Sequence, residues 1–304
     1  MPEASVRHFF VFNPAAGKRG ARARLDRALS ALDEGSYTLH VTDGTGDAAG
    51  FVRHICETQE GSLRFYACGG DGTLGEVAAG ALGCGRAEIG VWPCGSGNDY
   101  VKYYGGAARF LNLRAQVQAE SLPVDLMQAG DRCAINAINA GLEAHAAHAM
   151  LRLRHRPGFG GKNGYLAGTA DAVLRHMRTR CRVEADGQLL HEGDMLTLSL
   201  ACGRFIGGGF QCAPRSRNDD GFMELALVKP VSRLKLARLL PVYKKGEYLE
   251  APSLRDRIAY RQVKQARLTS DQEIVLCLDG EIVNGKAFDI RVLPGAVRFI
   301  LPPP

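Results

Sequence analysis

Leu63-Arg64-Phe65-Tyr66-Ala67-Cys68-Gly69-Gly70-Asp71-Gly72-Thr73-Leu74-Gly75-Glu76 passes from an apolar run, through glycine, into a helical pattern. The run 63–68 predicts a strand, and residues 73–82, with apolar side chains at helical spacing, predict a helix. A turn of this kind exposes backbone N–H groups. Glycine lets the chain approach an anion closely and the helix N-terminus adds partial positive charge, so the turn suits a phosphate. An ordinary structural account covers part of the same stretch: Thr73-x-x-Glu76 has capping-box spacing, and aspartate is common in tight turns.

On either side of this stretch the same rhythm recurs. Strands are expected at 8–13, 37–42 and 88–93, and helices at 21–32 and 47–56. Alternation of this kind gives a doubly wound parallel sheet. A second strand-to-helix turn is Val91-Trp92-Pro93-Cys94-Gly95-Ser96-Gly97-Asn98-Asp99-Tyr100, and a third, Asn13-Pro14-Ala15-Ala16-Gly17-Lys18, closes the first strand. Turns at the C-terminal ends of neighbouring strands form the crevice where ligands of open α/β folds sit. Gly17-Lys18 is not a P-loop, because Phe12 stands where that motif needs its first glycine. Gly44-x-Gly46-x-x-Ala49 matches a dinucleotide fingerprint only loosely, since it follows the second strand and lacks the acidic ribose partner.

Beyond about residue 123 the pattern becomes mainly β. Strands are expected at 195–202, 222–228, 265–269, 274–278 and 297–301, with helices at 137–153, 165–177 and 231–240. The 304 residues therefore divide into a nucleotide-binding α/β domain, 1–123, and a β-rich domain, 124–304, with the site between them. With 46% hydrophobic and 23% charged residues the chain can bury a sizeable core. A net charge of +6 with acidic and basic residues interspersed gives no nucleic-acid signature. Nine cysteines without a C-x-x-C pair point to reduced thiols, neither a disulfide framework nor a zinc site. The first residues carry no basic leader, and no stretch reaches the roughly 18 apolar residues of a spanning helix.

The N-P-x-x-G loop, G-G-D-G-T and P-x-G-[ST]-x-N-D, in this order, resemble the lipid kinase family of diacylglycerol and sphingosine kinases. The similarity continues through Gly207-Gly208-Gly209, Ala213-Pro214, Asp219-Asp220-Gly221, Asp279-Gly280-Glu281 and Val292-Leu293-Pro294-Gly295-Ala296. The resemblance implies an α/β nucleotide-binding domain, a β-sandwich-like second domain, and ATP with Mg²⁺ as cofactors. It implies that Asn13, Pro14, Ala15, Ala16, Gly17, Thr42, Gly69, Gly70, Asp71, Gly72, Thr73, Leu74, Gly75, Glu76, Gly95, Ser96, Asn98 and Asp99 surround the nucleotide. Glu281 would be the general base, with Asp71 and Asp279 near the ATP-bound Mg²⁺. A structural Mg²⁺ would be held by the Asp220 side chain and the main-chain oxygens of Arg217 and Phe222.

Departures from the family pattern are Ala16, which lacks a hydroxyl, Ser96, which keeps one, and Tyr100-Val101-Lys102, where only packing changes are expected. Adjacent carboxylates at Asp219 and Asp220 repel, and a hard cation would relieve this. Glu281, beside flexible Gly280, could accept an alcohol proton at a strand end. His145 and His148 read as packing or surface residues, and Lys244-Lys245 and Arg255-Asp256-Arg257 as exposed charged loops within reach of anionic head groups.

The implied partners are ATP and a membrane lipid, diacylglycerol first. A cytoplasmic protein is expected, peripheral at the inner face of an anionic membrane, with no nucleic acid, and a homodimer is compatible. Sphingoid bases, phosphatidylglycerol, a soluble NAD-kinase-like or phosphofructokinase-like reaction, a lipid-binding protein without activity, and a nicotinamide oxidoreductase are the alternatives.

Overall fold

The computed structural model describes residues 6–17, 20–33, 35–153 and 162–304. The first half runs β1 (Arg7–Phe12), α1 (Ala21–Leu29), β2 (Tyr37–Val41), α2 (Asp47–Thr58), β3 (Leu63–Gly69), α3 (Asp71–Ala81) and β4 (Ala87–Pro93). The strands form a parallel ladder in the order β4-β3-β1-β2. Their apolar runs are continuous because both faces are covered. Phe9, Val11, Phe65 and Ala67 pack under α2 and α3 with Val52, Leu74 and Val77. Phe10, Phe12, Tyr66 and Cys68 point the other way, onto Ala21, Leu25 and Leu29 of α1. This is the expected doubly wound sheet.

The chain continues through α4 (Leu113–Gln118), β5 (Ser121–Ala129), β6 (Arg132–Ala134), β7 (Ala137–Gly141), α5 (Leu142–Leu153) and α6 (Lys162–Arg175). Next come β8 (Thr179–Ala185), β9 (Gln188–Met195), β10 (Thr197–Ala201), β11 (Met223–Val228), α7 (Arg233–Lys244), β12 (Ile258–Val263), β13 (Gln265–Leu278) and β14 (Glu281–Ile300). This half is the β-sandwich-like domain. Its strands pair antiparallel in the order β12-β11-β10-β7-β13-β14. One face, with Ile138, Leu198, Leu200, Leu225, Leu276 and Leu278, packs against Cys181, Val183 and Met195 of the β8–β9 hairpin.

β14 ties the halves together. Its first part pairs with β13; its second pairs with β5 and runs parallel to β4 at Arg298 and Phe299. Its register shifts between Leu293 and Val297, where Pro294 and Gly295 interrupt the ladder. Pro123, where the composition changes, lies within β5.

Several expected elements need correcting. Residues 137–141 are a strand, not the first turn of a helix. Ala137-Ile138-Asn139-Ala140-Gly141 is wholly buried between β10 and β13, and small residues satisfy either period. The segments 265–269 and 274–278 are one strand with an irregularity between Thr269 and Ile274. The expected strand 297–301 is the end of a 20-residue strand. The charged hairpin β8–β9, although its residues alternate in burial along β8, was hidden by its arginines and glutamates.

Candidate active site

Four loops leave the parallel sheet along one edge, after β1, β2, β3 and β4. Gly69 O accepts from the N–H groups of both Cys94 (2.9 Å) and Gly95 (3.0 Å), so the turns after β3 and β4 nest together. A Cβ on Gly95 would lie 2.4 Å from Gly70 Cα, and one on Gly17, whose φ is +81°, would lie 2.0 Å from Cys94 O. Only glycine permits these approaches. Asn13 pins the first loop: its Oδ1 accepts from Ala15 N–H at 2.9 Å, and its Nδ2 donates to Thr73 Oγ1 at 3.1 Å. Buried Thr42 donates its N–H to Phe12 O at 2.9 Å at the end of β2. Pro14, Ala15 and Ser96 are exposed on the rim and Ala16 is half-buried.

The helix after β3 begins at Asp71, two residues earlier than expected. Gly70 is its N-cap and supplies no side chain, so the capping box is not formed. Thr73 serves instead as the acceptor for Asn13. The first N–H groups of α3 thus carry no side-chain cap, as a phosphate-binding turn requires. Gly72 is exposed here, Leu74 and Gly75 are buried beneath, and Glu76 is half-buried one turn on.

Carboxylates lock the loops. Asp71 accepts from the N–H groups of Asp99 and Tyr100, both at 2.9 Å. Burial and the neighbouring Asp99 push its carboxyl up to about 6. Asp99 is ion-paired to Lys102 and accepts from Gly208 N–H at 2.8 Å, which joins the second-half Gly207-Gly208-Gly209 loop to the turn after β4. Lys102 therefore does more than alter packing, contrary to expectation. Asn98, held in the left-handed region at φ +47°, donates to Gly95 O at 2.9 Å.

From the antiparallel half comes the β13–β14 hairpin. Asp279 and Gly280, with φ of +48° and +99°, form its two-residue turn, the conformation Asp-Gly favours. The Asp279 carboxylate accepts from Ile135 N–H (2.7 Å), Ala137 N–H (2.8 Å) and Asn136 N–H (3.2 Å). Burial and Asp71 push this carboxyl up to about 7, against the pull of those donors. A Cβ on Gly72 or Gly75 would stand 3.3 or 3.2 Å from Asp279, so the glycines of G-G-D-G-T-x-G also make room for the hairpin. Glu281, the next residue but one, is ion-paired with Arg132 of β6.

The third expected group lies apart from these turns in its hydrogen bonding. Asp219 turns to Arg217 at 3.3 Å, while Asp220 accepts from Phe222 N–H (3.1 Å) and Gln262 Nε2 (2.9 Å). The two carboxylates diverge and Arg217 compensates one of them, which removes the repulsion argument for a cation. Each Asp220 oxygen retains a second lone pair. Mg²⁺ takes oxygen donors of this kind, and Asp220 with the main-chain oxygens of Arg217 and Phe222 would be the residues to hold it. Among the described residues no group of three metal-ligating side chains occurs.

The sequence reading missed Asp125, which accepts from Gly221 N–H and Gly295 N–H, both at 2.7 Å, and so couples the D-D-G turn to the β14 irregularity. It also missed Arg132 and Asn218; the latter donates to the hydroxyls of Tyr100 (3.0 Å) and Tyr104 (2.6 Å). Asn218 directly precedes the D-D-G turn, which could have marked it, whereas Asp125 and Arg132 belong to no motif. His145 stacks on His176 with ring centroids 3.7 Å apart, a packing role as expected.

The diacylglycerol kinase catalytic domain model matches residues 7–129, and that of the YegS C-terminal NAD kinase beta sandwich-like domain matches 136–301. The chain is 29% identical over 303 residues to "Probable lipid kinase YegS-like" of Serratia proteamaculans, covering 94% of this chain and 92% of that protein. It is 25% identical over 276 residues to "Diacylglycerol kinase" of Staphylococcus carnosus, covering 89% and 87%. A crystal structure titled as a diacylglycerol kinase from Bacillus anthracis shares the fold, with a TM-score of 0.67 at 18% identity over 100% of this chain and 98% of that one.

Proposed function

We infer the reaction from a premise the matches establish: the chain belongs to the lipid kinases that join a diacylglycerol kinase catalytic domain to a YegS C-terminal domain, and is itself a lipid kinase. The reaction we propose is transfer of the γ-phosphate of ATP to the hydroxyl of diacylglycerol, giving phosphatidic acid. The observation that carries it is the convergence of three glycine turns and the uncapped start of α3 with Asp279 of the β13–β14 hairpin.

The backbone N–H groups at residues 70–73 and 96–97, with the Asn13–Gly17 loop, bind and orient the nucleotide phosphates. Asp71 and Asp279 hold the loops in register and offer remaining lone pairs toward a nucleotide-bound Mg²⁺. Bound Mg²⁺ and ATP supply the phosphoryl group and charge neutralisation. Glu281, held on one side by Arg132, accepts the acceptor hydroxyl's proton. The enzyme works at the cytoplasmic face of an anionic membrane and takes its acceptor from the bilayer.

Transfer of label from [γ-³²P]ATP to a panel of pure lipids tests the acceptor: diacylglycerol should be labelled most efficiently, and preferential labelling of a sphingoid base or phosphatidylglycerol would reassign it. For Asp220, Mg²⁺ should raise the melting temperature of the wild type more than that of Asp220→Ala, because a cation bound only by the folded state stabilises by mass action. Equal shifts would remove the structural Mg²⁺.

A further inference from the structure

Eight large hydrophobic side chains stand exposed among the described residues, and four are leucines of two adjoining helices. Leu166 and Leu174 of α6 are each 66% exposed, and Leu234 and Leu240 of α7 are 63% and 36% exposed. Leu166, Ala170 and Leu174 follow i, i+4, i+8 spacing, so they form one outward stripe with no packing partner of core type. α7 contains no buried residue; Leu236 and Tyr243 face inward, which turns Leu234, Arg238 and Pro241 to the outside. The two helices touch where Arg233 donates to the carbonyls of Val173 (2.9 Å) and Leu174 (2.8 Å), placing Leu174 and Leu234 on either side of one arginine.

The charge on α7 has one sign, while α6 pairs its Asp171 with Arg175 at 2.9 Å. From residue 229 to 245 the chain carries Lys229, Arg233, Lys235, Arg238, Lys244 and Lys245 and no acidic residue. Arg233 and Lys235 bond to carbonyl oxygens, the latter to Ser253 O at 2.7 Å, so their charges are solvated without being neutralised. Lys244 lies 6.0 Å from the ring of Phe210. Only Lys245, at the very end, approaches a carboxylate, 4.0 Å from Glu247. A surface hollow of about 330 Å³ is lined by Leu234 and Leu239 together with Ser232, Lys235, Arg238 and Ser253, apolar side chains among hydroxyls and cations.

We propose that the outer faces of α6 and α7 form the surface by which this enzyme docks on an anionic lipid bilayer, with the leucines entering the acyl boundary and the lysines and arginines meeting the phosphates. Exposed leucines framed by uncompensated cations are the pattern of an interfacial helix. The position suits the chemistry as well. Lys244, at the C-terminal end of α7, lies 6.0 Å from the Phe210 ring, and Gly208 of that same loop donates to Asp99, so one loop links the docking face to the turn after β4. This rests on the reading that the acceptor is a membrane lipid.

Co-sedimentation with phosphatidylglycerol and phosphatidylcholine vesicles tests it. The wild type should bind phosphatidylglycerol vesicles and leave phosphatidylcholine vesicles largely unbound. Arg238→Gln/Lys244→Gln should weaken binding about 25-fold, from ~1 kcal/mol per basic residue at 1.4 kcal/mol per tenfold. Leu166→Gln/Leu174→Gln/Leu234→Gln should weaken it about tenfold or more. Both should phosphorylate detergent-dispersed lipid at wild-type rates while losing activity on vesicles. Wild-type vesicle binding by both variants overturns the docking surface, even where lipid phosphorylation stands. Should the leucine variant instead change a dimer to a monomer in sedimentation equilibrium with vesicle binding intact, the face is a contact between two copies, which also overturns it. A wild type that labels no lipid but labels a soluble alcohol breaks the acceptor reading itself.

Discussion

The turns of the parallel half nest main chain on main chain, with Asn13 and Asp71 adding side-chain locks: Gly69 O takes two N–H groups from the next turn, and a Cβ on Gly17 or Gly95 would collide with main chain. In the antiparallel half the same edge is met by side chains, with Asp279 gripping three amides of residues 135–137 and Glu281 paired to Arg132. Under the proposed reaction the contrast corresponds to two tasks. Wrapping phosphates needs many aligned N–H donors and no bulk, which glycine turns and a helix start provide. Acting on one proton needs a single functional group at a fixed point, which a hairpin register provides. Damage should therefore differ in kind: lost chemistry on one side, lost nucleotide binding and stability on the other.

The largest effect belongs to the hairpin. Glu281→Gln should lower kcat by about 10² to 10⁴-fold with ATP affinity nearly unchanged. Steady-state kinetics together with a nucleotide-binding titration separate the two, and a variant keeping more than about a third of wild-type kcat would show that the side-chain half does not supply the base.

On the backbone side, Gly95→Ala should reverse the pattern. Its new Cβ meets Gly70 Cα at 2.4 Å, a main-chain atom that cannot swing aside, and the Asn98 side-chain oxygen at 2.9 Å. The expected cost is about 1–3 kcal/mol of stability, together with weakened ATP binding. Unfolding in urea and the same titration measure both; normal ATP affinity in a folded variant would break the link between the glycine contact and the nucleotide.

A smaller effect concerns the seam, where Asp71 and Asp279 face each other across the two halves. Their folded-state carboxyls lie above the ordinary aspartate range, at about 6 and about 7. The folded state therefore binds more protons than the unfolded chain between roughly pH 4 and 7. The stability these groups contribute is present below the unfolded value and is lost as pH rises through 6 and 7. Asp279→Asn, which keeps the left-handed turn because asparagine tolerates it, should melt with a flatter pH dependence between pH 5 and 8 than the wild type. Parallel curves would mean that the Asp279 carboxyl does not take up its proton in this range.

How much of this was legible follows the same division. In 63–76 the strand, the turn and the helix lie within one short window, and the physical reason for each residue is local: apolar side chains covered on both faces, glycine for close approach, a helix start for charge. The fold of the parallel half and its glycine turns were accordingly readable from composition and spacing. Asp279-Gly280 was readable as a turn for the same reason. The capping box at Thr73 was a local rule overridden, since Asn13 from another strand end claimed the hydroxyl.

What the sequence by itself determined, then, is the succession of parallel βαβ units, the glycine turns at their C-terminal edge and the hairpin turn that carries the carboxylates. Only the tertiary structure decided what those carboxylates touch. Asp279 reaches amides 142 to 144 residues away, Asp99 meets Gly208 across 109 positions, and Asp125 bridges Gly221 and Gly295. The Asp279 partners are fixed by the register of β7, β13 and β14, where a shift of one residue turns side chains to the opposite face, and the others by how strands distant in sequence are brought side by side. Register is a property of whole paired strands. No short window of sequence contains it.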